Sequence, residues 1–384
     1  MHQRWALSRR TRIALWLAAA GLLAVGASVL TLRSPRERAL RHAETVLANV
    51  PPGFGLYVDD SLCAECHPQE AASHAETGHA RTLRPAAQWP GAAGLDKRTF
   101  QDPHRGVKYH YRFDPQDGLA ATIPERFGND PFPLMYAFGS GKRRVTFLSL
   151  IPNRFGGTAG IEHRVSVRSG KDGISLELTP GHPSGPPAQQ VENFGRVLDP
   201  ALLERCLECH ATRGEIRDQE IQGLEPNVGC QKCHGPGREH ATAMREAESR
   251  GHQPSPPPRR SALEQIRACS RCHLQSDADN ELKAMPDHIR SVRVQAAELL
   301  QSRCFTQSED RLGCSTCHNP HAPIARDAAD YVQRCLECHG APGAVSCPVS
   351  PAADCVRCHM PAVEADGEVN RHDHRIRKKP PTAR

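Results

Sequence analysis

The chain has 384 residues, of which 38% are hydrophobic and 5% aromatic, and its formal net charge is +6. This length suits roughly two domains, but so little apolar content gives a weak core to offset the conformational entropy lost on folding. Much of the positive excess lies in the N-terminal arm, so the composition does not indicate a basic surface for nucleic acid.

The N-terminus predicts export. A basic arm at 1–12, expected to be cytoplasmic, precedes an uncharged run at 13–32 that is long enough to cross a bilayer. The run predicts either a retained transmembrane helix or a cleaved signal peptide. We favour the anchor, because the run continues beyond the small residues at 25–27. The expected location is the bacterial periplasm, at the inner membrane.

Five further segments follow. They are a linker at 33–60, a first motif-bearing segment at 61–100, a β-containing insertion at 101–185, a domain with six motifs at 186–376 and a basic tail at 377–384. Residues rich in β-branched and aromatic side chains predict strands at Val107–Phe113, Arg144–Ile151, Arg164–Arg168 and Gly173–Leu178. Helices are predicted at Leu202–His210, Ile266–His273, Tyr331–His339 and, longer, Met285–Arg303.

The pattern Cys-x-x-Cys-His occurs seven times. Its cysteines are Cys63, Cys66, Cys206, Cys209, Cys230, Cys233, Cys269, Cys272, Cys314, Cys317, Cys335, Cys338, Cys355 and Cys358, and its histidines are His67, His210, His234, His273, His318, His339 and His359. Two thiols three residues apart reach both vinyl groups of one porphyrin, and the adjacent imidazole binds its iron. One copy alone also suits a redox pair or half of a zinc site, but seven copies favour haem. We therefore predict seven covalently attached haems c.

Six of these motifs fall between Cys206 and His359, which leaves room for little beyond short helices and loops. We therefore expect the porphyrins to supply much of the core, and the chain without haem to fold poorly. The predicted fold class is mainly α with long loops, a multihaem cytochrome c fold organised around stacked haems. A small β meander and an N-terminal transmembrane helix complete it.

Second axial ligands are available, because the chain has 21 histidines. His240 follows the third motif in Cys-His-Gly-Pro-Gly-Arg-Glu-His, and His321 follows the fifth in Cys-His-Asn-Pro-His. His79 lies in Thr-Gly-His-Ala after the first motif, and His374 lies in His-Asp-His-Arg-Ile after the seventh. Each of these histidines is therefore close in sequence to an attachment site.

In these segments, and in Cys-His-Met-Pro at 358–361, the chain resembles the multihaem cytochromes of the cytochrome c-552/4 and hydroxylamine oxidoreductase class. The resemblance covers about residues 61–84 and 200–376. In that class the matching histidines bind iron, commonly that of a neighbouring haem. The resemblance therefore implies that the four histidines are distal ligands. His163 and His182, in the segment without motifs, are further candidates.

Two cysteines, Cys304 and Cys347, lie outside the motifs. They can pair if the chain is exported to an oxidising compartment, since such compartments preserve disulfides. Their separation cannot be read from the sequence. A disulfide and two free thiols both stay open.

Irons that carry histidine on both faces suit electron transfer rather than substrate binding. The first hypothesis is therefore an electron carrier in a respiratory chain. Its partners are redox proteins (other cytochromes, a quinol oxidase or a terminal reductase) and the membrane, through the N-terminal helix, but not nucleic acid. The alternative is an oxidoreductase acting on a small nitrogen or sulfur compound at one five-coordinate iron. A third reading is a structural or sensor module.

Overall fold

The computed structural model describes residues 54–378 apart from 143, 154–155, 171–172, 253–258, 274–293, 309–310, 345–346, 351 and 366–367. The predicted arm, membrane segment and most of the linker lie outside the described residues. Within the described ranges, no helix has the length and apolar character needed to span a bilayer.

Eleven strands, all between residues 83 and 198, form two antiparallel sheets. They are β1 Leu83–Pro85, β2 Thr99–Gln101, β3 Lys108–Asp114, β4 Gly118–Thr122, β5 Phe132–Leu134, β6 Tyr136–Phe138, β7 Arg144–Pro152, β8 Thr158–His163, β9 Val165–Gly170, β10 Gly173–Leu178 and β11 Gly195–Leu198. Strands β2 to β5 form a four-stranded meander. The other seven run in the order β1-β6-β7-β8-β11, with β9 paired to β7 and β10 to β9. We call residues 83–198 the β region.

The β region has its own apolar core. Alternate residues of β3 point inward, so that Tyr109 and Tyr111 are buried, and Phe147 and Ile161 from the other sheet join them. Trp89 packs edge-on against Phe147, with ring centroids 5.8 Å apart. Period-two alternation thus lets the two sheets bury one face each without any prosthetic group.

Helices dominate outside the β region. They are α1 Asp60–Cys66, α2 Pro68–Ala75, α4 Pro200–His210, α5 Cys230–His234, α6 Arg238–Ser249, α7 Ala262–His273, α8 Gln295–Leu300, α9 Arg303–Thr306, α10 Cys314–Cys317, α11 Ala328–His339 and α12 Cys355–His359, while α3, Pro124–Phe127, lies within the β region. Two hairpins accompany them, β12 Ala211–Arg217 with β13 Glu220–Pro226 and β14 Ala362–Ala365 with β15 Glu368–His372. We call residues 200–377 the motif region.

Side-chain caps fix where several of these helices begin. The Asp199 carboxylate accepts from the Leu202 N–H at 2.8 Å, and Pro200 occupies the first turn of α4, where its missing N–H is not needed. The Asp327 carboxylate likewise accepts from the Ala329 N–H at 2.9 Å at the start of α11. Each cap satisfies a backbone donor that has no partner within its helix.

The predicted fold class is wrong in its balance of helix and strand. Instead of one small meander, the chain forms two sheets and two further hairpins. Strands also extend beyond the predicted insertion at 101–185, from Leu83 to Leu198. The reason is that the average apolar content does not show how apolar residues are distributed: the β region holds one large buried cluster, while the described residues beyond 226 hold a small one.

The individual elements match more closely. The four predicted strands and the helices ending at His210, His273 and His339 are confirmed, with bounds shifted by a few residues. The long helix at Met285–Arg303 is wrong in its described part, because α8 ends at Leu300 and a new helix begins at Arg303. There the Ser302 hydroxyl accepts from the Phe305 N–H at 3.1 Å and caps α9. Residues 274–293 of that prediction lie outside the described residues.

Candidate haem-binding sites

All seven motifs place their two cysteines on a short helix that the motif histidine ends or directly follows. The helical repeat brings positions i, i+3 and i+4 to one face, so both thiols and the imidazole point to the same side. In α1 and α10 the histidine is the first residue after the helix, and in the other five it is the last residue of the helix. Local backbone structure therefore presents each motif in the form that a haem c attachment requires.

The attachment helices pack against one another. Helix α1 lies on α5, α7 on α10, and α11 on α12, and further contacts join α10 to α11 and α4 to α7. In three of these pairs the thiols of different motifs hydrogen-bond to each other: Cys63 with Cys230, Cys269 with Cys314 and Cys335 with Cys355. The seven motifs thus occupy neighbouring places, although their sequence positions are up to about 290 residues apart.

One of these thiol pairs has a carboxylate beside it. Ligand atoms of Asp60, Cys63 and Cys230 all lie within 4.8 Å of one another, a spacing that suits a metal ion. Both sulfurs belong to haem-attachment motifs, however, and a thioether is a much poorer ligand for a divalent ion than a thiolate. The Asp60 carboxylate also accepts the Cys230 backbone N–H at 3.2 Å. We therefore interpret the group as part of the packing between α1 and α5.

Four motif histidines each face a second histidine from elsewhere in the chain. The ring centroids are 6.4 Å apart for His67 and His240 and 6.3 Å apart for His273 and His79. They are 5.9 Å apart for His234 and His321 and 6.1 Å apart for His318 and His374. Every pair consists of one motif histidine and one of the four histidines named from the flanking sequence. No pair joins two motif histidines.

These separations can be compared with the spacing across a metal ion. An imidazole nitrogen binds a first-row transition metal at about 2.0–2.1 Å and lies roughly 1.1 Å from its ring centroid, so opposed ligands have centroids about 6.2–6.4 Å apart. The four observed values run from 5.9 to 6.4 Å. Two of these values, 6.3 and 6.4 Å, fall in this range, and the other two, 5.9 and 6.1 Å, lie slightly below it. The residues present can therefore hold a bis-imidazole iron at four of the motifs after small shifts of two pairs.

Backbone carbonyls hold three histidine rings in one tautomer: His374 of the four pairs, and the histidines of two other motifs, His210 and His359. Nδ1–H of His210 donates to the Thr82 carbonyl at 3.2 Å, that of His359 donates to Arg377 at 2.5 Å, and that of His374 donates to His372 at 2.8 Å. An imidazole that donates from Nδ1 presents an unprotonated Nε2, which is the nitrogen available to a metal. The carbonyl acceptors leave no trace in the sequence, because any residue supplies one.

Burial also favours the metal-binding form of three rings. It lowers the pKa of His234, His318 and His374 below the ordinary value of a histidine, and in His234 and His318 a neighbouring histidine lowers the pKa further. A lowered pKa keeps the imidazole neutral at physiological pH. Since iron binds the neutral ring, the electrostatic surroundings agree with the geometry.

The structure places His163 away from the attachment helices and in the core of the β region. Its Nδ1–H donates to the Phe194 carbonyl at 2.8 Å, and its Nε2 accepts from the Tyr111 hydroxyl at 2.9 Å. Both ring nitrogens are engaged, and burial lowers the pKa of His163 to about 3. These contacts argue against a role of His163 as a distal ligand, because its ring already joins two strands and a loop.

His182 is also satisfied within the β region. Its Nε2 lies 3.2 Å from the Glu162 carboxylate, which Arg196 contacts as well. Its side chain is 2% exposed. The nitrogen needed for iron already has a partner, so these contacts argue against its role as a distal ligand.

The two cysteines outside the motifs are not bonded to each other in the structure. Cys304 lies near Cys338, and its pKa is raised, mainly by burial. Cys347 accepts from the Ser350 N–H at 3.4 Å. Of the two alternatives, the described structure shows the free thiols.

One comparison with known proteins, that with protein families, points to the same class of cofactor. A family model described as cytochrome c554 and c-prime matches residues 187–235, which contain the second and third motifs. None of the curated proteins matches the chain. Among solved structures, the outer cell wall cytochrome OcwA is similar with 14% sequence identity and a TM-score of 0.45, over 84% of this chain and 79% of its own. The family match, with the motifs, supports a c-type cytochrome with covalently bound haem.

Proposed function

We propose that this chain is an exported multihaem cytochrome that carries seven haems c and transfers electrons between redox proteins. When bound, haem c supplies an iron that changes oxidation state by one electron, at a potential set by its ligands and surroundings. The observation that carries the proposal is the fourfold pairing of a motif histidine with a second histidine at 5.9–6.4 Å. Such pairs favour electron transfer because they close both faces of an iron to substrates.

Each group of residues has one role in this proposal. The motif cysteines hold the porphyrins as thioethers, and the motif histidines are the proximal ligands. His240, His79, His321 and His374 are the distal ligands opposite His67, His273, His234 and His318. The carbonyls of Thr82, Arg377 and His372 fix the tautomer of the histidines that donate to them.

The proposed ligand pairs follow a regular order along the chain. In three pairs the second histidine follows a motif two places further along the chain. His240, after the third motif, opposes His67 of the first. In the same way His321, after the fifth, opposes His234 of the third, and His374, after the seventh, opposes His318 of the fifth. The histidine after the first motif opposes that of the fourth. Each iron so liganded would join two distant segments, so the cofactors would hold the tertiary structure together as well as carry electrons.

The proposal also covers the class of cytochrome, its location in the cell and its redox partners. The flanking motifs favour the cytochrome c-552/4 and hydroxylamine oxidoreductase class within the multihaem cytochromes. Haem c is normally attached after export, so we propose an extracytoplasmic location such as the periplasm. The partners are then other cytochromes, a quinol oxidase or a terminal reductase.

The test removes one distal ligand at a time. His240→Ala, His321→Ala and His79→Ala should each open one iron, so that the reduced protein binds about one more carbon monoxide per chain than wild type. Absorbance measures the binding, and haem content is measured in parallel. The control is His252→Ala, because His252 is exposed on a turn after α6.

Two outcomes would contradict the proposal. If the three variants bind no more carbon monoxide than wild type and the control, these histidines are not iron ligands. If wild type itself binds carbon monoxide or nitrite at one iron and turns over substrate, the oxidoreductase hypothesis replaces the electron carrier. A chain with fewer than seven haems would correct the stoichiometry.

A further inference from the structure

A buried carboxylate lies next to the segment that carries His374. Glu298 on α8 is 1% exposed, and its Oε2 accepts from the Arg371 guanidinium at 2.6 Å. The same oxygen accepts the backbone N–H of His374 at 3.1 Å. Its second oxygen lies 3.4 Å from the Arg375 guanidinium. One carboxylate therefore holds three residues of the C-terminal segment.

This arrangement needs an explanation, because burying a carboxylate costs several kcal/mol unless it is paired and hydrogen-bonded. The neighbouring side chains of α8, Ala296 and Leu299, are buried against Ile266 of α7, as an amphipathic helix requires. Glu298 instead points its charge at a segment more than 70 residues later in the chain. Its partners are the backbone N–H of His374 and two arginines within three residues of it, and the His374 ring centroid lies 6.1 Å from that of His318.

The other contacts of the segment fix the same residue. Nδ1–H of His374 donates to the His372 carbonyl at 2.8 Å, and the Asp373 carboxylate accepts from the Arg375 N–H at 2.9 Å. Ile376 packs against the apolar cluster of α7 and α8. The segment has further polar contacts outside itself: Arg375 Nε donates to the side-chain oxygen of Gln301 at 3.4 Å, and backbone hydrogen bonds join Asp373 to Pro361 and Arg377 to His359. Glu298 differs from these contacts because it accepts the N–H of His374 itself. It therefore links the backbone of the proposed ligand directly to α8.

We propose that Glu298 is the positioning residue for His374 and thereby keeps the distal face of the His318 iron closed. This inference rests on the proposed function, which makes His374 an iron ligand. Glu298 acts through the backbone of the ligand and through two arginines, and it does not touch the metal. Glu298 thereby links α8, which packs on the helix of the fourth motif, to the C-terminal segment that carries His374 and follows the seventh motif.

The test uses the intact holoprotein, four single variants and one double variant. Glu298→Ala removes the anchor, and Glu298→Gln keeps an oxygen for the His374 N–H but removes the charge that pairs the arginines. His374→Ala removes the ligand itself. Glu177→Ala is the matched control, because Glu177 also pairs two arginines, Arg144 and Arg168, but lies in the β region. Carbon monoxide binding, visible spectra and haem content are measured for each.

Glu298→Ala should bind carbon monoxide at up to about one additional iron per chain, while Glu177→Ala should match wild type. The double variant Glu298→Ala/His374→Ala should bind no more than His374→Ala alone, because both changes open the same iron. Added imidazole should close that iron again and reverse the spectral change. Glu298→Gln should show a smaller change than Glu298→Ala.

The inference is overturned if both Glu298 variants, with full haem content, bind no more carbon monoxide than wild type. It is also overturned if the double variant binds more than His374→Ala, since Glu298 then acts on a different iron. A failure of the proposed function looks different: His374→Ala itself would bind no more than wild type. If Glu298→Ala does not accumulate, Glu298→Gln and the imidazole titration decide.

Discussion

The β region and the motif region solve the problem of burial in different ways. The β region packs Tyr109, Ile123, Phe147, Ile161 and Val167 with little or no exposure between two sheets. In the motif region beyond residue 226, the buried apolar side chains among the described residues are Val228, Ala262, Ile266, Ala296, Leu299, Val332 and Val356. The first set belongs to one cluster of eighteen buried residues, whereas the cluster of α7 and α8 has three, so burial of apolar surface stabilises the β region more.

The polar interior follows the same division. In the β region a buried polar group has a protein partner: Arg164 pairs with Asp102, and Tyr109 donates to the Asn193 carbonyl at 2.5 Å. In the motif region the repeated contact is a pair of facing imidazoles about 6 Å apart, which is the spacing across an iron. The β region therefore buries paired polar groups within an apolar core, whereas the motif region repeats a pairing of histidines whose spacing suits iron.

Withholding haem should separate the two regions, and this is the largest effect that we expect. In a chain with all motif cysteines replaced by alanine, the β region should stay folded while the motif region loses its structure, because seven large apolar bodies would be missing from it. Limited proteolysis should leave a resistant fragment close to residues 83–198. Hydrogen exchange should show protection confined to the same residues.

The wild-type holoprotein, which should resist proteolysis in both regions, is the control. If the haem-free chain is resistant throughout, the motif region has a sufficient core of its own. If it is digested throughout, the β region depends on the haem-bearing segments around it. Either result would contradict the expected difference between the β region and the motif region.

The buried ion pair of the β region provides a smaller, local test. Asp102 and Arg164 both have fully buried side chains. Burial raises the pKa of Asp102, but hydrogen bonds from Arg164 and from the His104 N–H outweigh it and hold that pKa below its ordinary value. Asp102→Asn leaves the Arg164 charge without its counter-ion, which should lower the free energy of unfolding of the β region by about 3–5 kcal/mol.

Urea unfolding, followed by hydrogen exchange of peptides from the β region, measures this change. The control is Asp117→Asn, because Asp117 and Arg112 form an exposed pair that should contribute less than about 1 kcal/mol. Equal losses in the free energy of unfolding for the two substitutions would show that the buried pair stabilises the protein no more than the exposed pair does. A spectral change at the irons in Asp102→Asn would show that the two regions are coupled.

The pH dependence of the β region gives the smallest effect. Burial lowers the pKa of His163 to about 3, from an ordinary value of 6.5. Between these values the unfolded chain binds a proton that the folded chain does not, so stability is full above about pH 6.5 and falls on acidification. Lowering the pH from 7 to 4.5 should therefore reduce the free energy of unfolding by roughly 2–3 kcal/mol.

His163→Gln isolates this contribution from those of the carboxylates. The variant should be less stable at pH 7, since a buried hydrogen bond is disturbed, but its stability should fall less steeply with acid. Urea unfolding at a series of pH values measures both. Identical slopes for the variant and wild type would mean that His163 titrates normally in the folded protein.

The sequence predicted local elements better than it predicted their proportions. Strands such as Gly173–Leu178 and helices such as Ala262–His273 were predictable, because alternation and helical periodicity are local properties. The extent of the sheets was missed, since β1 and β11 are short strands that gain their partners from distant residues. Average composition was misleading for the same reason: it does not show which segment holds the apolar residues.

The candidate sites show a similar limit. Four histidines near the motifs were named from flanking residues, and the structure brings each of them opposite a motif histidine. Their role as ligands stays a prediction. His163 was named because it lies in a segment rich in histidine and poor in motifs, but its two hydrogen bonds come from Tyr111 and Phe194, far from it in sequence. Glu298 gave a signal that was missed: a lone charge in the apolar stretch Ala-Ala-Glu-Leu-Leu.

The sequence by itself determined the chemistry of attachment, because thiols and imidazole at i, i+3 and i+4 meet within one helical turn wherever that helix lies. It also determined the strands and helices whose periodicity is local. Only the tertiary structure decided which histidine faces which motif, since those partners come from segments tens to hundreds of residues apart. It alone showed that the β region has a large apolar core of its own, because burial depends on what packs against a residue and not on the residue itself.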